Sequence, residues 1–89
     1  MKGIITVLGK DRRGIIAKVC TYLYEQNINI LDISQTILQD TLNMVMIVDL
    51  SEARGSFEQT ARGLDTVARD IGGSIQLQRE DIFNSMHRI

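Results

Sequence analysis

Residues 3–16, Gly-Ile-Ile-Thr-Val-Leu-Gly-Lys-Asp-Arg-Arg-Gly-Ile-Ile, decide how this chain folds. From Gly3 to Gly9 the run is short, β-branched and closed by a glycine at each end, the pattern of a strand apolar on both faces near its middle. The charged turn Lys10-Asp11-Arg12-Arg13 interrupts it. Ile15, Ile16, Val19, Cys20 and Leu23 then recur at spacings of three and four, so they share one stripe of a helix running to about Gln26. A strand that passes at once into an amphipathic helix is the first half of a βαβ unit.

Outward from this stretch the pattern repeats. Asn27 to Gln39 has the composition of a second strand, but Ile28 and Ile30 take one parity while Leu31, Ile33 and Ile37 take the other. A bulge or bend near Leu31-Asp32 reconciles them. Gln39-Asp40-Thr41 is a turn, and Leu42 to Leu50 is a third strand with Met44, Met46 and Val48 on one face and Val45 and Ile47 on the other. After a loop from Ser51 to Gly55, Ser56 and Gln59 form a capping box that opens a helix with the stripe Phe57, Ala61, Leu64, Ala68 and Ile71. Gly72-Gly73 stops it, one of the two taking the left-handed conformation. Ser74 to Gln78 alternates Ile75 and Leu77 with polar residues, a half-buried fourth strand.

Two right-handed βαβ crossovers put both helices on one face of a four-stranded antiparallel sheet. The expected class is α+β, a ferredoxin-like βαββαβ domain over residues 1–80. Beyond it, 81–89 form a short amphipathic helical tail with Ile82, Phe83, Met86 and Ile89 on one side. In the strands, Ile4 lies beside Ile5, and Val45 between Met44 and Met46, so the helix-free sheet face also carries apolar residues. Such a face needs a cover, either the tail or another subunit.

A chain of 89 residues supports one hydrophobic core, and 44% hydrophobic with 24% charged residues is ordinary globular composition. Ten basic against eleven acidic residues leave a net charge of -1, which gives no global field for nucleic acid or an anionic membrane. Neither a signal-peptide core nor a membrane-length apolar run is present, and the single cysteine suits a reducing compartment, so a cytoplasmic protein is expected. The strands contain no aromatic residue on which a base could stack. Cys20 is expected in the core, and His87 has no partner at metal-ligand or triad spacing. The pattern calls for no catalytic residues, metal or cofactor.

Asp11-Arg12-Arg13-Gly14 stands where free N–H groups and the helix dipole favour an anion such as a carboxylate. Asp11 can cap the helix, Gly14 lets a backbone or ligand come close, and Arg12 and Arg13 add charge. Asn27-Ile28-Asn29-Ile30 places two short amides where the second strand begins. Strand, Asp11-x-x-Gly14-Ile15, helix, Asn27-Ile28-Asn29-Ile30: this order, over residues 3 to 79, resembles the ACT domain, a small-molecule-sensing module of amino-acid metabolism. With its tail, the chain is most similar to small free-standing bacterial members, akin to the glycine cleavage system transcriptional repressor.

The resemblance implies a regulatory homo-oligomer, dimer or tetramer, that senses an amino-acid-like ligand and acts on a partner protein. In such domains the first loop of one subunit faces the second strand of another, so Asp11, Gly14 and Ile15 would form one side of the site, with the charges of Arg12 and Arg13 beside them in the loop. Asn27, Asn29 and Ile30 would form the other. Arg13 stands where many members have proline. The alternative is a dimerisation module without ligand. A remote one is an acylphosphatase-like enzyme using Arg12 or Arg13 with Asn43, for which the loop is short and lacks a glycine-rich nest.

Overall fold

The computed structural model describes residues 1–81. Six elements follow in order: β1 Lys2–Gly9, α1 Arg12–Glu25, β2 Asn29–Leu38, β3 Thr41–Asp49, α2 Phe57–Ile71 and β4 Ser74–Arg79. The sheet order is β2-β3-β1-β4, with every neighbouring pair antiparallel. This is the ferredoxin-like βαββαβ architecture. The expected tail lies, from Ile82 onward, outside the described residues.

Strand alternation selects the core. Ile5 and Val7 on β1, Leu42, Met44, Met46 and Val48 on β3 and Ile75 on β4 share one cluster with Ile15, Val19 and Leu23 of α1 and Leu64 and Ala68 of α2. Both helices therefore cover the same sheet face. Cys20 is only partly buried at the margin of this cluster instead of within it, and the burial it has pushes its thiol pKa up. Tyr22 bridges the helices, its hydroxyl donating to the Thr60 carbonyl at 3.2 Å.

Each terminus of α2 follows from local chemistry. The Ser56 hydroxyl accepts the Gln59 N–H at 3.1 Å while Gln59 Oε1 accepts the Ser56 N–H at 2.9 Å, a closed capping box. At the other end Gly72 has φ 65°, the left-handed residue expected of the glycine pair. The register of β2 against β3 shifts between Ile30 and Asp32, which is the bulge that the parity change demands. Gln39 and Asp40 both have positive φ, and their tight two-residue turn matches the twist of the hairpin.

The start of β2 differs from the sequence reading by two residues, while other strand ends differ by one. Asn27 is not the first residue of β2; it has φ 58° and closes α1, with the Ile28 N–H reaching back to the Leu23 carbonyl at 2.9 Å. That is the six-to-one bond of a helix closed by a left-handed residue, a role asparagine fills when glycine is absent. The strand starts two residues later, at Asn29.

Candidate functional site

The α1 end of the site is built around Asp11. It is the N-cap residue, and its carboxylate accepts the Gly14 N–H at 3.2 Å. The Arg12 and Arg13 amides, with no carbonyl a turn earlier to reach, remain as first-turn donors. Both side chains are exposed, and Ile15 beneath them is fully buried against the sheet. A cleft of about 80 Å³ lined by Asp11, Gly14, Ile15, Lys18, Asp70 and Ile71 opens between the start of α1 and the end of α2. The Lys18–Asp70 ion pair across it, at 3.4 Å and well exposed, contributes roughly 0–1 kcal/mol.

The β2 end forms a second, larger cavity of about 470 Å³, lined by Tyr24, Asn27, Ile28, Asn29, Asp49, Ser51 and Glu52. One backbone and one side-chain hydrogen bond tie its walls together: Arg54 N–H to the Gln26 carbonyl at 2.9 Å, and the Asn27 side-chain amide, through Nδ2, to the Glu52 carbonyl at 3.1 Å. Asn29 pairs with Asp49 across β2 and β3 and is exposed. The Ser51 hydroxyl and N–H donate to Asp49 Oδ1 at 2.7 and 3.0 Å. These bonds, the hydroxyl's first, hold the Asp49 carboxyl below the usual carboxylate range.

A depressed carboxyl adds stability above its unfolded pKa that is lost as pH falls through the folded value. Ser51→Ala is therefore expected to raise the Asp49 pKa toward the ordinary range and remove its share of the acid limb. An NMR titration of the Asp49 carboxyl checks this. An unchanged midpoint would assign the shift to another cause.

Within one chain the two halves of the predicted site do not meet. β1 pairs with β3 from Lys2↔Asp49 to Gly9↔Leu42, so Asn29 lies at the Lys2 end of the sheet and the Asp11 loop at the Gly9 end. At about 3.3 Å per residue they stand roughly 25 Å apart. Ile30 faces the helices opposite Val48 and is part of the core margin. Tyr24, Asp49, Ser51 and Glu52 join Asn27 and Asn29 only through the fold, although Asp49-Leu50-Ser51 carries the Asp-x-Ser spacing of a side-chain-capped turn.

Asn43 alternates with Leu42 and Met44 and so occupies the helix-free face, opposite Leu8 near the Gly9 end of the sheet, and only two residues connect β1 to α1, a loop as short as the sequence indicates. Among the described residues no helix is long and apolar enough to cross a membrane.

The family model for the ACT domain matches residues 3–78. A UPF0237 protein of Bifidobacterium longum is 53% identical over 88 residues, 99% of this chain and 98% of the relative. Among solved structures, an ACT domain protein from Streptococcus pneumoniae superposes with a TM-score of 0.81 at 36% identity, covering 93% of both chains. A putative glycine cleavage system transcriptional repressor gives 0.75 at 12% identity, covering 86% of this chain and 45% of that one, a likeness of fold alone.

Proposed function

Because this chain belongs to the ACT domain family, whose domains are regulatory rather than catalytic, we propose that it works as a two-fold homodimer that binds an amino-acid-like ligand between subunits and signals occupancy to a partner protein. The separation of the two motifs within one chain is the observation that carries this reading. β2 is an edge strand, exposed from Leu31 to its end at Leu38. Two copies of β2 paired antiparallel about a two-fold axis set Asn29 of one beside the Leu38 end of the other, the same end of the partner's sheet as its Asp11 loop, which stands two strands further in, at about 10 Å. Each composite site then has first-turn amides and arginines for a carboxylate, and amides with Asp49 and Glu52 for an ammonium or polar side chain. The exposed Ile33 and Ile37 on the helix side of β2 would meet the outer side of the partner's α1.

Occupancy acts by linkage: a ligand that bridges two subunits stabilises the assembled state by its affinity for that state alone. At a ligand concentration near 100 Kd this is about 2.7 kcal/mol, a rise in Tm on the order of 10 °C for a domain this small. The test is a thermal-shift screen against the twenty amino acids, read beside light scattering. A dimer whose Tm rises with one of them, and whose Gly14→Asp variant stays folded without that rise, is the expected result. The variant should fold, because a Cβ at Gly14 meets only the Asp11 carboxylate, 2.7 Å away at the end of a movable side chain.

An unchanged rise in Gly14→Asp would remove the first loop from the site. A stable dimer silent to every amino acid would favour the ligand-free dimerisation module. One observation already favours that second reading: Asp11 itself occupies the Gly14 amide.

A further inference from the structure

The sheet face away from the helices bears a narrow apolar strip. Its outward residues are Ile4, Thr6 and Leu8 on β1 and Asn43, Val45, Ile47 and Asp49 on β3, with Ile4 paired to Ile47. Leu8 and Val45 are each 40% exposed. Ile4 is only 5% exposed, although it points away from both helices and stands outside the helix-side core. The flanking strands are mostly polar here: Ser74, Gln76 and Gln78 on β4, and Asp32, Ser34 and Thr36 on β2. The strip is thus two strands wide, about 10 Å, between polar borders.

A second sheet laid on this face would bury those glutamines and Asp32 without partners, at a cost of desolvation. A single short segment with one apolar side would not. The described chain ends at Asp81, just past β4, and β4 is the strand beside β1, with Gln78 paired to Ile4. Eight residues follow, with Ile82, Phe83, Met86 and Ile89 spaced for one side of a helix and Asn84, Ser85 and Arg88 for the other. A segment of eight residues wound as a helix would span about 12 Å, enough to cross from β4 over β1 to β3 at about 4.8 Å per strand.

From this fit of width, length and point of departure we infer that residues 82–89 cover the Ile4–Ile47 strip of their own subunit. The route in cis is short, whereas in a dimer joined through β2 the partner's β4 lies on the far side of its own sheet.

Two measurements test the inference. A chain ending at Asp81 should keep its far-UV circular dichroism and its mass by light scattering relative to the full chain, apart from the deletion, while binding of an apolar dye rises several-fold. Val45→Lys in the shortened chain should bring that binding back down. In the full chain, NMR should show contacts from the Phe83 ring to the Ile4 or Ile47 methyls, and an isotope-filtered spectrum of mixed labelled and unlabelled protein should lack them. A dye-silent shortened chain would overturn the inference. So would filtered contacts, which would place a neighbour's segment there, or a dye signal indifferent to Val45→Lys. If the shortened chain does not fold, the methyl contacts of the full chain decide alone.

Discussion

With Ile33→Lys and Ile37→Lys combined, the protein is expected to run as a monomer at micromolar concentration and to lose any amino-acid-dependent rise in Tm. The two isoleucines lie on the helix side of β2, opposite Met46 and Leu42, yet both are exposed because α1 leaves the outer edge of the sheet uncovered. Leu31 and Leu38 are exposed on the same strand. Residues 29–40 contain no lysine, arginine or proline, the residues with which edge strands deter pairing. Burying an isoleucine is worth about 1.5–3 kcal/mol, and the dimer would bury both from each subunit. Two lysines remove that gain and place ammonium groups in an apolar contact, so a weakening of the dimer by at least about a thousandfold is expected. Sedimentation or light scattering reads it directly. An undiminished dimer would mean that β2 is not the interface, and the composite site proposed above would fall with it.

The second large effect concerns stability. Gly73→Ala is expected to destabilise the fold by about 3 kcal/mol, a substantial part of the roughly 5–10 kcal/mol available to a chain this size. A Cβ at Gly73 would fall on the Leu8 carbonyl oxygen and lie 3.2 Å from the Gly9 Cα. Both belong to the backbone of β1, where it pairs with the start of β4, so neither can move aside without breaking the ladder. The neighbouring Gly72 provides the control. There a Cβ meets open space, and only the positive φ opposes it, at about 1 kcal/mol. Thermal denaturation of the two alanine variants separates the mechanisms, with a larger drop expected for Gly73→Ala. Equal losses would show that the helix cap, and not the close approach to β1, is what the glycine pair serves.

Much of the fold was legible in the residues. The parity change between Ile30 and Ile33 announced the bulge, Ser56 with Gln59 announced the start of α2, and Gly72-Gly73 its end. Each depends on contacts within a few positions along the chain, which a linear pattern records. Asn27 was misplaced for the same reason: asparagine suits both a polar strand end and a left-handed helix terminus, and the choice depends on the Leu23 carbonyl and on Glu52, to which its side chain binds. Cys20 was placed too deep, because helical spacing gives the direction of a stripe but not its margin.

The candidate site was legible only in pieces. Asp11 and Gly14 are as expected at the head of α1, but nothing local places Asp49, Ser51 and Glu52 around Asn29, or the Asp11 loop at the opposite end of the sheet. By itself the sequence determined the order of elements, their faces and their caps, since periodicity and capping act over a turn of helix or a pair of strand residues. Only the tertiary structure decided that β2 is the uncovered edge and that the two candidate motifs lie apart within one chain, because both follow from the strand order β2-β3-β1-β4, which is held by contacts between residues far apart in the chain.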